Sequence, residues 1–132
     1  MRALLATGAL VGMALSPFPI IAAPLDGSTP ILCAVNSITD CEAGSCERST
    51  AEEAQVPPFI RIDLQRRVLS SVDGARTSPI AQTQRASGRL MFQGMQNQRV
   101  WGAVINEQTG SMWATVGEDD GAIVISGACI AP

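Results

Sequence analysis

The residues of this chain with the clearest chemistry are its four cysteines, Cys33, Cys41, Cys46 and Cys129. An even number of cysteines is typical of disulfide bonds in an exported chain, and the N-terminal residues considered below indicate export. Redox centres usually separate two cysteines by two residues, and structural zinc sites usually hold two such close pairs. Neither spacing occurs here, so the sequence favours structural disulfides over a redox pair or a four-cysteine zinc site.

Distances along the chain rank the three pairings that four cysteines allow. Cys41 and Cys46 flank a turn-like tetrapeptide, so a hairpin brings their α-carbons within the roughly 4.4–6.8 Å that a disulfide needs. If residues 31–40 form one extended strand, Cys33 lies about 26 Å from Cys41, at roughly 3.3 Å per residue. We therefore predict the bonds Cys41–Cys46 and Cys33–Cys129. The second bond requires the sheet to curl, or its first and last strands to lie side by side.

The chain contains no histidine, no lysine and no tyrosine. Histidine is the usual general base and zinc ligand, and lysine forms Schiff bases and binds phosphate in P-loops, so these classes of site are excluded. A pair of carboxylates would still permit glycosidase-type chemistry. The twelve acidic residues are, however, an ordinary number for a solvated surface. We predict no enzymatic activity, no catalytic residue, no cofactor and no bound metal.

The N-terminal residues have the order of a secretory signal peptide. Arg2 supplies a positive charge, Ala3–Leu15 is a nearly unbroken apolar stretch, and small residues follow at Ala22 and Ala23. The apolar stretch is too short for a permanent membrane span. We predict cleavage after Ala22, which leaves Ala23 as the first residue of the mature protein.

Three segments follow from this cleavage: a signal peptide over 1–22, a flexible leader over 23–30 and a single disulfide-stapled β domain over 31–132. The residue before Cys33 is not the small one that a lipoprotein signal requires. We therefore expect a periplasmic or secreted protein without a lipid anchor and without an integral membrane span after processing.

Short β-strands dominate the pattern after the leader. Apolar residues alternate with polar ones at the two-residue period of half-buried strands, and turn residues recur every eight to twelve positions. This spacing predicts an all-β fold, a small antiparallel meander that closes or nearly closes into an eight-stranded barrel. The predicted strands begin at Ile31 and Phe59 and continue over Arg67–Val72, Ser78–Thr83, Gly88–Gly94, Arg99–Asn106, Ser111–Val116 and Ala122–Cys129.

One short helix is expected near residues 50–55. Ser49 or Thr50 is a suitable N-cap, and acidic residues occupy the first turn after it. Pro57-Pro58 ends any helix there after two turns at most.

The hairpin over Arg99–Val116 has the best-defined register. Pairing Trp101 with Val116 and Ile105 with Met112 collects only apolar side chains on one face. The other face is mixed and places Trp113 beside Val104. Because the chain has few aromatic residues, we expect both tryptophans to pack in the core. A binding face formed by Trp113 and Val104 is the alternative.

The charges suggest two further alternatives. The segment 61–99 holds seven arginines against two acids and would suit an anionic partner, although the same arginines are also expected on solvent-facing strands. The acidic run at 118–120 resembles a calcium loop but lacks the alternating ligand spacing, so a solvated turn is the preferred interpretation. Net acidity, export and few aromatics argue against a nucleic-acid partner.

The chain resembles small exported proteins of proteobacteria with no assigned activity. The resemblance rests on the placement of the cysteines, on the segments Pro57–Asp63 and Trp101–Gly110, and on the closing Gly127-Ala128-Cys129. It implies a periplasmic or secreted β-rich domain. It carries over no catalytic or ligand-binding residue.

The sequence as a whole predicts a non-enzymatic domain that acts by binding or as a component of the cell envelope. Its partner is an envelope protein or a small apolar ligand. The first alternative is a carrier that holds a small apolar ligand inside a closed barrel. The second is a periplasmic protease inhibitor, by analogy of fold only, with Ala23–Pro30 as the candidate inhibitory segment.

Overall fold

Alternating apolar and polar residues produce β-strands along almost the whole domain. The computed structural model describes Pro17, Pro19 and residues 22–132, so the predicted signal peptide lies almost wholly outside the described residues. The strands are β1 (Ile31–Glu42), β2 (Ser45–Ser49), β3 (Phe59–Asp63), β4 (Val68–Ser71), β5 (Thr77–Ala86), β6 (Arg89–Gln96), β7 (Arg99–Asn106), β8 (Ser111–Gly117) and β9 (Gly121–Ile130).

Eight of these strands close into a barrel, as the sequence predicts. Strands β3 to β9 pair antiparallel in chain order, and β1 joins β3 on one edge and β9 on the other. Strand β2 is an additional strand that pairs only with the second half of β1 and lies outside the barrel. The wall is therefore continuous, and β2 adds a short projecting hairpin to it.

A β-bulge keeps the inner face of β1 apolar. Cys33 and Ile38 are five residues apart, so in a regular strand they would point to opposite faces. The pairing with β9 shifts by one residue between Val35 and Ser37, which leaves Asn36 as the extra residue. Both Cys33 and Ile38 are consequently buried in the barrel.

Both predicted disulfides are confirmed. Cys33 lies directly opposite Cys129 across the β1–β9 junction and is bonded to it. Cys41 lies opposite Cys46 in the β1–β2 hairpin and is likewise bonded to it. Two disulfides indicate an oxidising environment outside the cytoplasm. Over the described part of the chain, no helix is long and apolar enough to cross a membrane.

The helix expected near residues 50–55 is wrong. Thr50 and Glu53 do form the reciprocal bonds of a capping box, with Thr50 N–H donating to Glu53 Oε2 and Glu53 N–H donating to Thr50 Oγ1. Only the Ala54 N–H then donates to a carbonyl four residues back, and Gln55 turns away with a φ of 54°. A helical nucleus this short is not extended by propagation, so residues 51–55 remain a series of turns.

The two ends of the barrel differ in what covers them. The end that we call the hairpin end carries the β1–β2 hairpin, the turns at 51–55 and the loops 72–76, 97–98 and 118–120. The end that we call the leader end carries residues 23–30 and the loops 64–67, 87–88 and 107–110. Strand direction fixes this division, because each antiparallel strand returns the chain to the opposite end.

Candidate functional site

The barrel contains a cavity of about 720 Å³ towards its hairpin end. Inward-facing apolar side chains form most of its wall, including Phe92 and Trp101, and the turn residues Ala54 and Val56 cover one side. Residues of the hairpin-end loops, among them Asn97, line its mouth. This volume falls within the range of roughly 300–1,000 Å³ that small-molecule pockets occupy.

Small residues on two neighbouring strands make room for the cavity. Ala103 and Ala114 face each other on β7 and β8 and point into the barrel. Both are half-buried, whereas Ile105 and Met112, one inward position further from the hairpin end, are buried. The core is therefore filled at the level of Ile105 and left open at the level of the alanines.

Trp101 forms a specific polar feature in the cavity wall. Its Nε1–H donates to Ser78 Oγ at 2.8 Å, and its indole meets the ring of Phe92 edge-on, with centroids 6.1 Å apart. Ser78 lies on β5 and Trp101 on β7, so the indole crosses β6 to reach the hydroxyl. Gly94 of β6 makes the crossing possible, because a Cβ there would lie 2.6 Å from the indole ring and 2.3 Å from the Pro79 carbonyl oxygen.

Two arginines stand at the mouth of the cavity, and each has a protein partner. Arg76 Nη1 donates to the Gln55 carbonyl oxygen at 2.5 Å, which ties the 51–55 turns to the β4–β5 loop. Arg99 forms an ion pair with Glu118 at 3.2 Å. No aspartate or glutamate lines the cavity in the described part of the chain. The charged groups at the mouth are therefore hydrogen-bond donors, whereas its amide side chains, such as that of Asn97, both donate and accept.

Charge is divided unevenly between the two ends of the barrel. Within residues 22–132 the half nearer the leader end carries more arginines than acids, whereas the hairpin end carries a surplus of acids. The acids of the hairpin end are Asp40, Glu42, Glu47, Glu52, Glu53, Asp73, Glu118, Asp119 and Asp120, and its arginines are Arg48, Arg76 and Arg99. Five of the seven arginines of segment 61–99 lie in the half nearer the leader end, and the other two, Arg76 and Arg99, lie at the hairpin end.

The leader end is closed by the leader itself. Leu25 packs against the core, and Gly27 is buried close to Leu64, whose Cδ1 would lie 2.5 Å from a Cβ at that glycine. Gln65 Nε2 donates to the Gly27 carbonyl oxygen at 3.3 Å. The predicted flexible leader is thus packed onto the barrel over these residues. Ser28, Thr29 and Pro30, which follow in the same segment, are exposed.

Charged groups reinforce this closure. Arg85 binds Glu107 through two hydrogen bonds, of 2.6 and 2.9 Å, and this pairing holds the pKa of Glu107 below its usual range. Hydrogen bonds from Ser28 within the leader lower the pKa of Asp26, with a smaller contribution from the charge of Arg85. The Arg85–Glu107 pair thus joins β5 to the loop between β7 and β8 at this end of the barrel.

The expectation that both tryptophans are core residues is half wrong. Trp101 is buried, but Trp113 is 58% exposed on the outer face of β8. Its direct partner on β7 is the half-buried Val104, as the predicted register requires. The alternation of the strand explains this position, since Met112 and Ala114 point inward and Trp113 must point outward.

The acidic run at 118–120 forms the exposed side of the β8–β9 connection, where the Glu118 N–H donates to the Gly121 carbonyl oxygen. Among the described residues, no group of three or more potential ligand side chains could hold a metal ion. No protein-family model, curated protein or solved structure matches this chain.

Sequence reasoning did not single out Ser78. The only available signal is indirect: a buried indole N–H needs an acceptor, and Ser78 is an inward-facing hydroxyl two positions before the buried Ile80. Finding this hydrogen bond requires knowing that β5 lies two strands away from β7 in the sheet. The alternation of apolar and polar residues does not contain that information.

Proposed function

We propose that this protein is an exported, non-enzymatic binding protein that holds a small, mainly apolar ligand inside its barrel. The single observation that carries the proposal is the cavity of about 720 Å³, with apolar walls and a mouth at the hairpin end. An eight-stranded barrel is wide enough to hold one such ligand. Its place of action is the periplasm or the extracellular medium, which suits the two disulfides.

Burial of apolar surface supplies the affinity in this proposal. Transfer of apolar area from water into such a site stabilises by about 25 cal/mol per Å². The half-buried Ala103 and Ala114 expose apolar surface to the cavity that a ligand would cover. The closed leader end prevents the ligand from passing through the barrel, so binding and release use the hairpin end.

The direct test is a titration of the mature protein with the uncharged fluorescent probe N-phenyl-1-naphthylamine. We expect enhanced fluorescence that saturates at one probe per protein, and native mass spectrometry of protein from its own host should show a bound mass of lipid size. Ala114→Phe fills the cavity and should abolish saturable binding. Ala128→Phe introduces the same side chain on the outer face of β9 and is the matched control, with binding retained.

Ala103→Val is a milder second variant for the case that Ala114→Phe does not fold. It should weaken binding of the probe by reducing the free volume of the cavity. Saturable binding that survives in a folded Ala114→Phe protein would show that the probe does not occupy the barrel and would refute the proposal.

A second candidate is a binding face on the outside of the barrel, formed by Trp113 and Val104. The observation that favours it is the 58% exposure of Trp113. A photo-crosslinking amino acid at position 113 should form one discrete adduct in intact cells, whereas the same group at the exposed Gln93 of β6 should not. Equal labelling from both positions would count against a specific face.

A further inference from the structure

The hydroxyl of Ser78 is placed to bind a ligand. Ser78 lines the cavity and is 1% exposed, and its Oγ accepts the hydrogen bond of the Trp101 indole. A serine hydroxyl also carries one proton to donate. Among the hydrogen bonds of residues 22–132, this proton is directed at no acceptor. A ligand group that accepts this proton would give the hydroxyl its second hydrogen bond.

The surroundings increase the donor strength of this hydroxyl. A hydroxyl that accepts one hydrogen bond becomes a better donor in a second, because the bonds polarise one another. The indole is held in position by the edge-on contact with Phe92 and by the close approach over Gly94. The indole thereby fixes one side of the Ser78 oxygen, and the hydroxyl proton can turn to another side.

The remaining polar groups near Ser78 favour the same kind of ligand atom. Arg76 and Arg99 are pure donors, and no carboxylate lines the described wall of the cavity. A ligand that brings its own acceptor oxygen therefore finds charged donors at the mouth of the cavity, where amide side chains such as that of Asn97 both donate and accept.

The charge of the hairpin end constrains the ligand further. Both arginines at the mouth already have partners, in Gln55 and Glu118. The acid surplus of this end then repels an approaching anion, at a range limited by salt screening to about 8–10 Å. A carboxylate or phosphate head group is thus disfavoured, although the wall offers it donors.

From these observations we infer that the ligand is an uncharged amphiphile, an apolar chain or ring system whose hydrogen-bond-accepting oxygen binds the hydroxyl of Ser78. A ketone, an ester or an ether would meet this description. The inference rests on the proposed function, since it names the ligand class for the same cavity. Ser78 is its specificity-determining residue.

The test compares three ligands of equal carbon number by displacement of N-phenyl-1-naphthylamine: 2-undecanone, undecane and undecanoate. Absolute affinities also depend on how strongly each free ligand is hydrated. The measured quantity is therefore, for each ligand, the ratio of its affinity for the original protein to its affinity for Ser78→Ala. We expect about a tenfold loss for 2-undecanone and a change of less than twofold for undecane, since about 1.4 kcal/mol corresponds to a factor of ten. Undecanoate should bind more tightly as salt is added, because screening reduces the repulsion.

Ser71→Ala is the matched control. Ser71 is also a buried serine, on the adjacent strand β4, but its hydroxyl donates to Asp73 and accepts from the Arg76 N–H, and it does not line the cavity. Ser71→Ala should leave the affinity for 2-undecanone the same as in the original protein. Ser78→Cys retains the shape of the side chain with a weak donor, gives an intermediate ratio, and serves if Ser78→Ala does not fold.

The outcomes separate the two proposals. If the probe does not bind and no ligand does, the proposed function fails and this inference with it. If 2-undecanone and undecane lose affinity equally in Ser78→Ala, the serine only accepts the indole N–H; the inference is overturned and the proposed function stands. Undecanoate as the tightest ligand at low salt would overturn the uncharged head group.

Discussion

The two ends of this barrel use the same kinds of residue in opposite ways. At the leader end a disulfide joins the first and last strands, the leader packs Leu25 onto the core, and Arg85 pairs with Glu107. At the hairpin end the disulfide closes only a tight turn, and two opposed alanines leave the interior open. Long-range covalent and packing constraints are thus concentrated away from the opening.

This difference shows how a small domain can hold a cavity and remain folded. Domains of this size bury a limited fraction of their surface, so an unfilled interior lowers the stability of the whole. A constraint at the opposite end offsets part of that loss without occupying the space. The four predictions that follow test the contrast, beginning with the largest expected effect.

Removing each disulfide separately should show that the two bonds contribute different amounts to the free energy of unfolding. In the chain-entropy model the Cys33–Cys129 bond, with a sequence separation of 96, stabilises by about 5 kcal/mol, and the Cys41–Cys46 bond, with a separation of 5, by about 2 kcal/mol. Urea unfolding of the two double alanine variants measures both values. A larger loss from the Cys41–Cys46 pair would mean that the hairpin, and not barrel closure, holds the fold.

A comparison of two glycines tests whether the leader end is packed. Gly27 and Gly74 have similar positive φ angles, of 80° and 73°, so alanine costs each about 1 kcal/mol in backbone strain. A Cβ at Gly27 also meets Leu64, whereas one at Gly74 meets nothing within 4 Å. We expect Gly27→Ala to lose about 1 kcal/mol more than Gly74→Ala in thermal or urea unfolding. Equal losses would argue that the leader does not close the barrel.

Neutralising acids at the hairpin end should alter ligand choice and leave the leader end unaffected. Asp119 and Asp120 belong to the acid surplus near the mouth. Two charges about 10 Å from an anionic head group contribute about 0.8 kcal/mol in water, so the double asparagine variant should bind undecanoate about threefold to fourfold more tightly at low salt. The affinity for 2-undecanone should stay constant. An equal rise for both ligands would point to a change in cavity shape and not in charge.

Much of this contrast between the ends was accessible from the sequence. The spacing of the cysteines predicted both disulfides, and the long one already required the first and last strands to meet. The β7–β8 register also followed from sequence, because a one-residue slip would place Met112 on the opposite face from Trp101 and Ile105. These features depend on residues that are close in sequence, or on the distance that a stretch of chain can span.

The features that sequence reasoning missed depend on contacts between distant strands. The rule that scarce aromatics are buried gave the wrong position for Trp113, although the alternation had already placed it on the mixed face. The capping box at Thr50 and Glu53 was present, but a cap does not make a helix where Gln55 and two prolines end it. The Ser78–Trp101 bond spans β6 and depends on the missing side chain at Gly94.

The smallest expected effect concerns acid stability at the leader end. Arg85 holds the pKa of Glu107 below its usual value of 4.5, so the unfolded state binds this proton first as the pH falls. The stabilisation is therefore complete above about pH 4.5 and is lost as the pH falls through the lowered pKa. Glu107→Gln should make the free energy of unfolding depend less steeply on pH below 4.5. Arg85→Gln should flatten the profile to the same extent, and the double variant should add nothing further, since all three remove one interaction. If Glu107→Gln retains the full acid dependence, the Arg85–Glu107 pair does not contribute to the stability of the leader end.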